Sequence, residues 1–227
     1  MKRYIDVLYK CPLFKGKEKN EILDILSLTN HKINDYNKNE FIFRAHETPV
    51  YIGVILDGSI EFQNNLKSGK YYNVLYKKKG EVFGGAVVLS DSPIYKFDVI
   101  GKTKCTLLLI HKQSVQNILF RDLTISKNII SLFSKSVMLL TKKIELFSYS
   151  SIQQKIAYCL LTNISSEENN IIHLPYSKKA WAEHINVSRS SLSRELKKLS
   201  DSGIIKVKNK VIKVSDKEEL EKILDDM

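Results

Sequence analysis

Residues 177–199, SKKAWAEHINVSRSSLSRELKKL, constrain the fold most strongly because their pattern predicts two short helices joined by a tight turn. Ser177 and Ser188 can cap these helices, since a serine hydroxyl accepts a free backbone N–H group of the first turn. Asn186 occupies the turn, where asparagine tolerates a left-handed backbone. The second helix would bury one apolar face, which is formed by Leu192, Leu196 and Leu199.

The opposite face of the second predicted helix is polar and basic, which is typical of a helix that reads DNA. Arginine can form two hydrogen bonds with guanine, and serine can reach phosphates or bases. The candidate DNA-binding residues of the two helices are Lys178, Lys179, Ser188, Arg189, Ser190, Ser193, Arg194 and Lys197. The alternative is an ordinary helical pair with a solvated basic face.

The next segment, residues 204–214, alternates lysine with isoleucine and valine around Asn209. This pattern predicts a two-stranded hairpin with one basic face, or wing, whose Lys208 and Lys210 are further candidate DNA contacts. Residues 148–214 carry eleven Lys and Arg against five Asp and Glu, a net charge of +6, compared with +11 for the whole chain. The positive charge is therefore concentrated where a polyanion would bind.

Residues 31–110 have a different pattern, with short β-rich runs separated by glycine-containing turns. The predicted strands are Phe41–Arg44, Val50–Leu56, Ser59–Leu66, Tyr71–Lys77 and Lys104–Ile110. Asp57–Gly58 and Ser68–Gly69 lie between such runs, where glycine allows the positive φ of a hairpin turn. Many short strands with tight turns predict an antiparallel β-roll that is similar to a jelly roll. Two short helices are predicted before it, at Arg3–Lys10 and Lys17–Leu28.

A heptad-like apolar stripe with spacings of 3, 4, 3, 4 and 3 predicts a long helix from Ile125 to Phe147. The stripe, which is the predicted dimer interface, consists of Ile130, Phe133, Val137, Leu140, Ile144 and Phe147. A second apolar ridge runs beside it, at Ile129, Leu132, Leu139 and Leu146. Two ridges need two partners, namely the β-roll of the same chain and the same helix of a second copy. The alternative is one long helix lying across the core of a single domain.

The sequence therefore predicts an α+β chain in three parts. These are a β-roll with N-terminal helices at residues 1–120, a dimerisation helix at 121–147 and a winged helix-turn-helix at 148–227. No apolar run approaches the roughly 20 residues of a membrane-spanning helix, and the N-terminus lacks an apolar signal core. The three cysteines show no C-x-x-C spacing. We therefore expect a cytoplasmic protein with reduced thiols and no membrane partner.

This order of a β-roll, a long helix and a winged helix-turn-helix resembles the Crp/Fnr family of bacterial transcription regulators. Residues 80–84, GEVFG, are similar to a family motif, and residues 187–196, VSRSSLSREL, are similar to its recognition helix. The resemblance implies a homodimer on two-fold symmetric double-stranded DNA, with RNA polymerase as a further partner.

The resemblance also assigns roles to individual residues of the recognition helix. Arg189, Ser193 and Arg194 stand where family members contact DNA. Ser190 stands where many members carry a glutamate that reads cytosine. Because a serine does not accept from the cytosine amine as a carboxylate does, the usual half-site preference is not expected.

By correspondence with the family, an effector pocket would be lined by Gly84, Gly85, Tyr95, Lys96, Leu140 and Thr141. Members that bind cyclic nucleotides have a glutamate at the position of Gly85, and an arginine followed by serine or threonine at Tyr95 and Lys96. A buried phosphate without its bidentate arginine would lose its hydration largely uncompensated. We therefore expect no response to cyclic AMP, no cofactor, and a pocket that holds another effector or none.

Sensing through a metal or a thiol finds little support in the sequence. An iron–sulfur cluster normally needs four thiolates, and the chain has three cysteines. Candidate haem ligands without diagnostic spacing are His31, His46, Cys105 and His111, so no metal site is expected. Redox sensing through Cys11 or Cys159 stays open.

No nucleophile–base pair, metal triad or phosphate loop indicates an enzyme. The alternatives to an effector-controlled regulator are a DNA-binding protein without an effector and, less favoured, a β-roll enzyme with an accessory nucleic-acid-binding domain.

Overall fold

The computed structural model describes residues 1–65, 71–91, 94–164, 170–174 and 177–226. The chain divides into two compact units, Met1–Ser136 and Val137–Met227, and the boundary lies inside one long helix. The predicted α+β class is confirmed. The predicted division at residues 120 and 147 stays a prediction, as does the Ser68–Gly69 turn, which lies outside the described residues.

The described part of the first unit contains two antiparallel sheets of four strands each. The first sheet consists of β1 (His31–Tyr36), β3 (Tyr51–Asp57), β6 (Val82–Phe83) and β8 (Cys105–His111). The second consists of β2 (Phe41–Phe43), β4 (Ser59–Asn65), β5 (Tyr71–Lys78) and β7 (Asp98–Gly101). Their strand orders are β1-β8-β3-β6 and β2-β7-β4-β5.

The two faces of the first sheet bury alternate residues of its central strands. In β8, Leu107 and Leu109 pack with Ile60 and Val99 of the second sheet. The alternating residues Leu108 and Ile110 pack instead into a cluster with the helices of this unit. A strand that is covered on both faces reads as a continuous apolar run, which explains the sequence CTLLLI.

Helices cover the outer face of the first sheet. Those of the first unit are α1 (Ile5–Tyr9), α2 (Lys19–Ser27), α3 (Gly85–Val88), α4 (Lys112–Arg121) and the beginning of α5 (Leu123–Ser148). A capping box between Glu18 and Glu21 starts α2. Both helices are slightly shorter than the sequence predicts, since α1 lies within Arg3–Lys10 and α2 within Lys17–Leu28. Asp122 starts α5 by accepting from the backbone N–H groups of Thr124 and Ile125, at 3.0 and 3.1 Å.

The long helix α5 agrees with the predicted span within two residues at its start and one at its end. The two ends of the second apolar ridge belong to the cores of the chain, since Ile129 is buried in the first unit and Leu146 in the second, whereas Leu139 between them is 69% exposed. By length and average composition, α5 is also the one helix among the described residues that could cross a membrane. The expectation of no membrane partner therefore stays a prediction.

The second unit combines helices with a small antiparallel sheet. Its helices after α5 are α6 (Ile152–Leu161), α7 (Lys178–His184), α8 (Arg189–Asp201) and α9 (Lys217–Asp225). Its sheet has the strand order β10-β11-β9 and consists of β9 (Ile171–His173), β10 (Ile205–Lys208) and β11 (Val211–Val214). Trp181, which is the single tryptophan of the chain, lies fully buried at the centre of this core.

The central strand β3 requires glycine at position 53. A Cβ atom at Gly53 would overlap the ring of Phe83, which lies opposite Gly53 on the neighbouring strand β6. We predict that Gly53→Ala lowers the free energy of unfolding by about 1–3 kcal/mol through overpacking. Urea unfolding followed by far-UV circular dichroism measures this loss. In a Phe83→Leu background the same substitution should cost less, and an equal cost in both backgrounds would contradict the steric explanation.

Candidate nucleic-acid interface and effector cavity

The two helices α7 and α8 are joined by the turn that the sequence predicts. The Ser177 hydroxyl accepts from the backbone N–H of Ala180 at 3.3 Å, and the Ser188 hydroxyl accepts from that of Ser191 at 3.0 Å. Asn186 has a φ of 55°, in the left-handed region. Both predicted caps and the predicted turn residue are therefore confirmed. The Ser188 hydroxyl also lies 2.8 Å from the hydroxyls of Ser190 and Ser191, so its first role is to organise the start of α8.

Helix α8 has one buried face and one exposed polar face. The buried face consists of Leu192, Leu196 and Leu199, which pack in the same cluster as Trp181. The exposed side chains include those of Arg189, Ser190, Arg194 and Lys197. Ser193 is half-buried. On α7, Lys179 is exposed and Lys178 is half-buried. The structure therefore brings the predicted contact residues of α8 to one surface of the second unit.

Glu195 anchors α8 to α6, and this link is absent from the sequence prediction. Its buried carboxylate accepts from Gln153 Nε2 on α6 and from Lys198 Nζ, both at 3.0 Å. Burial alone would raise the pKa of Glu195, but these hydrogen bonds lower it below its ordinary value. The carboxylate also lies 3.5 Å from Nε of Arg194, whose side chain remains 68% exposed. Glu195 therefore orients this arginine without removing it from solvent.

The predicted hairpin consists of β10 and β11, and β9 adds a third strand that the sequence did not predict. Lys206 faces Lys213 directly across the ladder, Lys208 faces Val211, and all three lysines are exposed. Lys210 is exposed in the turn after Asn209, which has a φ of 55°. Like charges that face each other across strands repel, and a bound polyanion would relieve this repulsion.

The predicted dimer stripe of α5 is largely exposed to solvent. Five of its members are 43–71% exposed, namely Ile130, Val137, Leu140, Ile144 and Phe147. Phe133 is half-buried in the first unit. Leu123 is also exposed and continues the stripe, because it precedes Ile130 by one heptad. A row of exposed large apolar side chains on one helix face is typical of a surface that binds another protein surface.

An open cavity of about 450 Å³ lies in the first unit beside α3. Its described lining consists of Phe62, Gly84, Ala86, Val87, Ser90, Ile94, Tyr95, Lys96 and Phe97. Of the predicted effector residues, Gly84, Tyr95 and Lys96 line this effector cavity. Gly85 instead faces α5, where an added Cβ would lie 3.4 Å from Cε1 of Phe133. Leu140 and Thr141 are exposed on the part of α5 that belongs to the second unit.

Two family models match the chain. The model of the Crp-like helix-turn-helix domain matches residues 154–223, and that of the cyclic nucleotide-binding domain matches residues 33–122. The chain belongs to the Crp/Fnr family. It is a DNA-binding transcription regulator. Helix-turn-helix regulators of this kind bind DNA and are typically dimers.

Solved structures of Crp/Fnr regulators share the fold. The catabolite activator protein of Thermus thermophilus is 19% identical, with a TM-score of 0.54 and 95% of this chain and 99% of that chain covered. A CooA mutant from Carboxydothermus hydrogenoformans is 14% identical, with a TM-score of 0.60 and 92% of each chain covered. DNR from Pseudomonas aeruginosa is 19% identical, with a TM-score of 0.52 and 97% of each covered. No curated protein sequence matched the chain.

The described lining of the cavity holds one charged side chain, that of Lys96. The Tyr95 hydroxyl is buried without a hydrogen-bond partner among the described residues. Burial and the nearby charge of Glu47 raise the pKa of Tyr95, so the phenol stays neutral. The guanidinium of Arg44, one of the two arginines nearest to Tyr95 in the sequence, lies 4.0 Å above the centre of the Phe41 ring. No arginine is among the described residues that line the cavity.

The three cysteines of the Crp/Fnr regulator are buried, and none of them forms a disulfide. Burial raises the pKa of Cys11 and of Cys105 to about 11, and it raises that of Cys159 as well. Thiols that hold their protons react slowly with oxidants at neutral pH. In the described part of the chain, no group of three His, Cys, Asp or Glu side chains is arranged to hold a metal ion.

The cap at Ser188 supports a prediction that separates folding from DNA binding. Ser188→Ala should lower the free energy of unfolding of the second unit by about 1 kcal/mol, because α8 loses its cap. Ser188→Asp should retain stability, since aspartate caps equally well, but it should weaken DNA binding through its negative charge. Urea unfolding followed by Trp181 fluorescence reports on this unit specifically. Equal destabilisation by both substitutions would contradict the assigned role of Ser188.

Proposed function

We propose that two copies of this regulator pair through α5 and place their α8 helices in successive major grooves of a two-fold symmetric operator. The observation that carries the proposal is the division of α8 into a buried leucine face and an exposed face with two arginines. Arg189 and Arg194 read base edges, with Ser190 and Ser193 beside them. Phosphate contacts come from Lys178, Lys179 and Lys197, from the wing lysines Lys208 and Lys210, and from the N-terminus of α8 at Ser188.

The dimer forms along the α5 stripe. In heptad terms Ile130, Val137 and Ile144 occupy a positions, and Phe133, Leu140 and Phe147 occupy d positions. β-Branched residues at a favour a parallel two-stranded coiled coil, which relates two recognition helices by two-fold symmetry.

A dimer accounts for the apolarity of α5 better than a bilayer does. Lys135 lies at the middle of the helix, off the stripe and exposed. In a membrane-spanning helix this ammonium would lie at the bilayer centre, at a cost of about 2.5–3.5 kcal/mol. In a dimer it faces water. We therefore propose that α5 has no membrane partner and that the chain is cytoplasmic. Its proposed partners are DNA, a second copy and RNA polymerase, and we propose no catalytic activity.

The effector cavity is positioned to act on the dimer helix. Ala86 and Val87 of α3 line the cavity, whereas Gly85 of the same short helix lies against Phe133 of α5. A ligand that displaces α3 would therefore displace Phe133, which belongs to the dimer stripe. A ligand that binds one arrangement of α3 more tightly than the other would shift the dimer toward the conformation that contains this arrangement.

Removing one base-reading arginine should weaken operator binding. We predict that Arg194→Ala reduces operator affinity by roughly 1–3 kcal/mol and relaxes sequence preference at one base position. Fluorescence anisotropy on an operator duplex and its single-base variants measures both effects. Arg121→Ala removes an exposed arginine from α4 and serves as the control. Unchanged binding by Arg194→Ala would refute its assigned contact.

Charges in the α5 stripe should separate the two copies. We predict that Val137→Lys combined with Leu140→Lys yields monomers, because two ammonium groups would be buried in the interface of each copy. Met138→Lys should leave the dimer intact, since Met138 is equally exposed but lies off the stripe. Sedimentation equilibrium gives the mass of each variant. A dimer that survives the double substitution would show that the stripe is not the interface.

A further inference from the structure

The effector cavity has an apolar wall of rings and branched side chains. Three aromatic residues, Phe62, Tyr95 and Phe97, line it together with Ala86, Val87 and Ile94. The Tyr95 ring is held in place by stacking on Phe43, with ring centres 4.8 Å apart, and its backbone N–H donates to the Glu47 carbonyl at 3.1 Å. A fixed apolar wall of this size favours a ligand whose body is hydrophobic.

Among the described lining residues, the one charged group is the ammonium of Lys96. Lys96 is exposed, and it makes no ion pair with any described carboxylate. Neither an aspartate nor a glutamate is among the described lining residues. Two further polar side chains belong to the described lining. The Ser90 hydroxyl donates its proton to the Val87 carbonyl at 2.8 Å, and the Tyr95 hydroxyl is buried without a partner among the described residues. The described lining therefore combines a largely apolar interior with one positive charge that remains in contact with water.

We propose that the effector cavity binds a hydrophobic monocarboxylate, with its apolar body inside the cavity and its carboxylate at the Lys96 ammonium. Such a ligand buries hydrocarbon where the wall is apolar and keeps its charge near solvent, so neither group is desolvated without compensation. A cyclic nucleotide fits less well because its phosphate and ribose hydroxyls would meet the apolar wall and a neutral phenol at Tyr95.

This inference rests on the proposed function in taking the cavity as the effector site, but its test needs no DNA. Isothermal titration calorimetry on the full chain uses octanoate, decanoate, decanol and cyclic AMP as probes. Two additional methylenes should make decanoate bind about tenfold more tightly than octanoate, because each buried methylene contributes about 0.8 kcal/mol. Decanol, which lacks the charge, should bind more weakly than decanoate.

Substitutions at Lys96 test how much its positive charge contributes to carboxylate binding. Lys96→Gln should remove the preference for decanoate over decanol, and Lys96→Arg should retain it. Lys38→Gln removes an exposed lysine elsewhere in the first unit and should change nothing. Thermal melting of each variant confirms that it folds.

Several outcomes would overturn the proposal. These are no binding of either acid, an affinity that does not depend on chain length, a preference that survives Lys96→Gln, or tighter binding of cyclic AMP than of both acids. Failure of operator binding with the acids still bound would refute the DNA-binding proposal alone. Failure of acid binding with operator binding intact would refute this inference alone.

Discussion

The packing of three leucines of α8 against the Trp181 core determines which face of this helix meets solvent. Burying a leucine side chain stabilises a fold by about 1.5–3 kcal/mol, so rotating α8 to another face would cost several kcal/mol. The Glu195 link to Gln153 adds a polar constraint on the same helix. The outward direction of Arg189 and Arg194 is thus a consequence of core packing, and the DNA-binding function follows from it.

Helix α5 is the second constraint, because it carries two apolar ridges that differ in burial. One ridge is buried at its ends, with Ile129 in the core of the first unit and Leu146 in that of the second, while Leu139 between them is exposed. The other remains exposed along most of its length. Phe133 belongs to the exposed stripe and also touches α3, which borders the effector cavity. In the proposed function, ligand binding, dimerisation and the placement of the recognition helices therefore share one structural element.

The sequence predicted the structural features that depend on residues close together in the chain. The caps at Ser177 and Ser188, the left-handed Asn186 and the periodic α5 follow from residues a few positions apart. Part of what it missed depends on distant pairs or short elements, and the longer elements β1, α4 and α9 were missed as well. Glu195 meets Gln153, which is 42 residues away. The four-residue helix α3 turns Gly85 toward α5 while its neighbours face the cavity. Strands β6, β7 and β9 have two to four residues, too few for a period to be read.

The most direct test of dimeric binding to a two-fold symmetric operator is hydroxyl-radical footprinting of the full chain on a duplex selected from a random pool. We expect two protected half-sites whose centres lie about one helical turn apart, ~34 Å, related by two-fold symmetry. The protected pattern should appear with two chains bound to each duplex. A single protected half-site, or protection that does not depend on sequence, would contradict it.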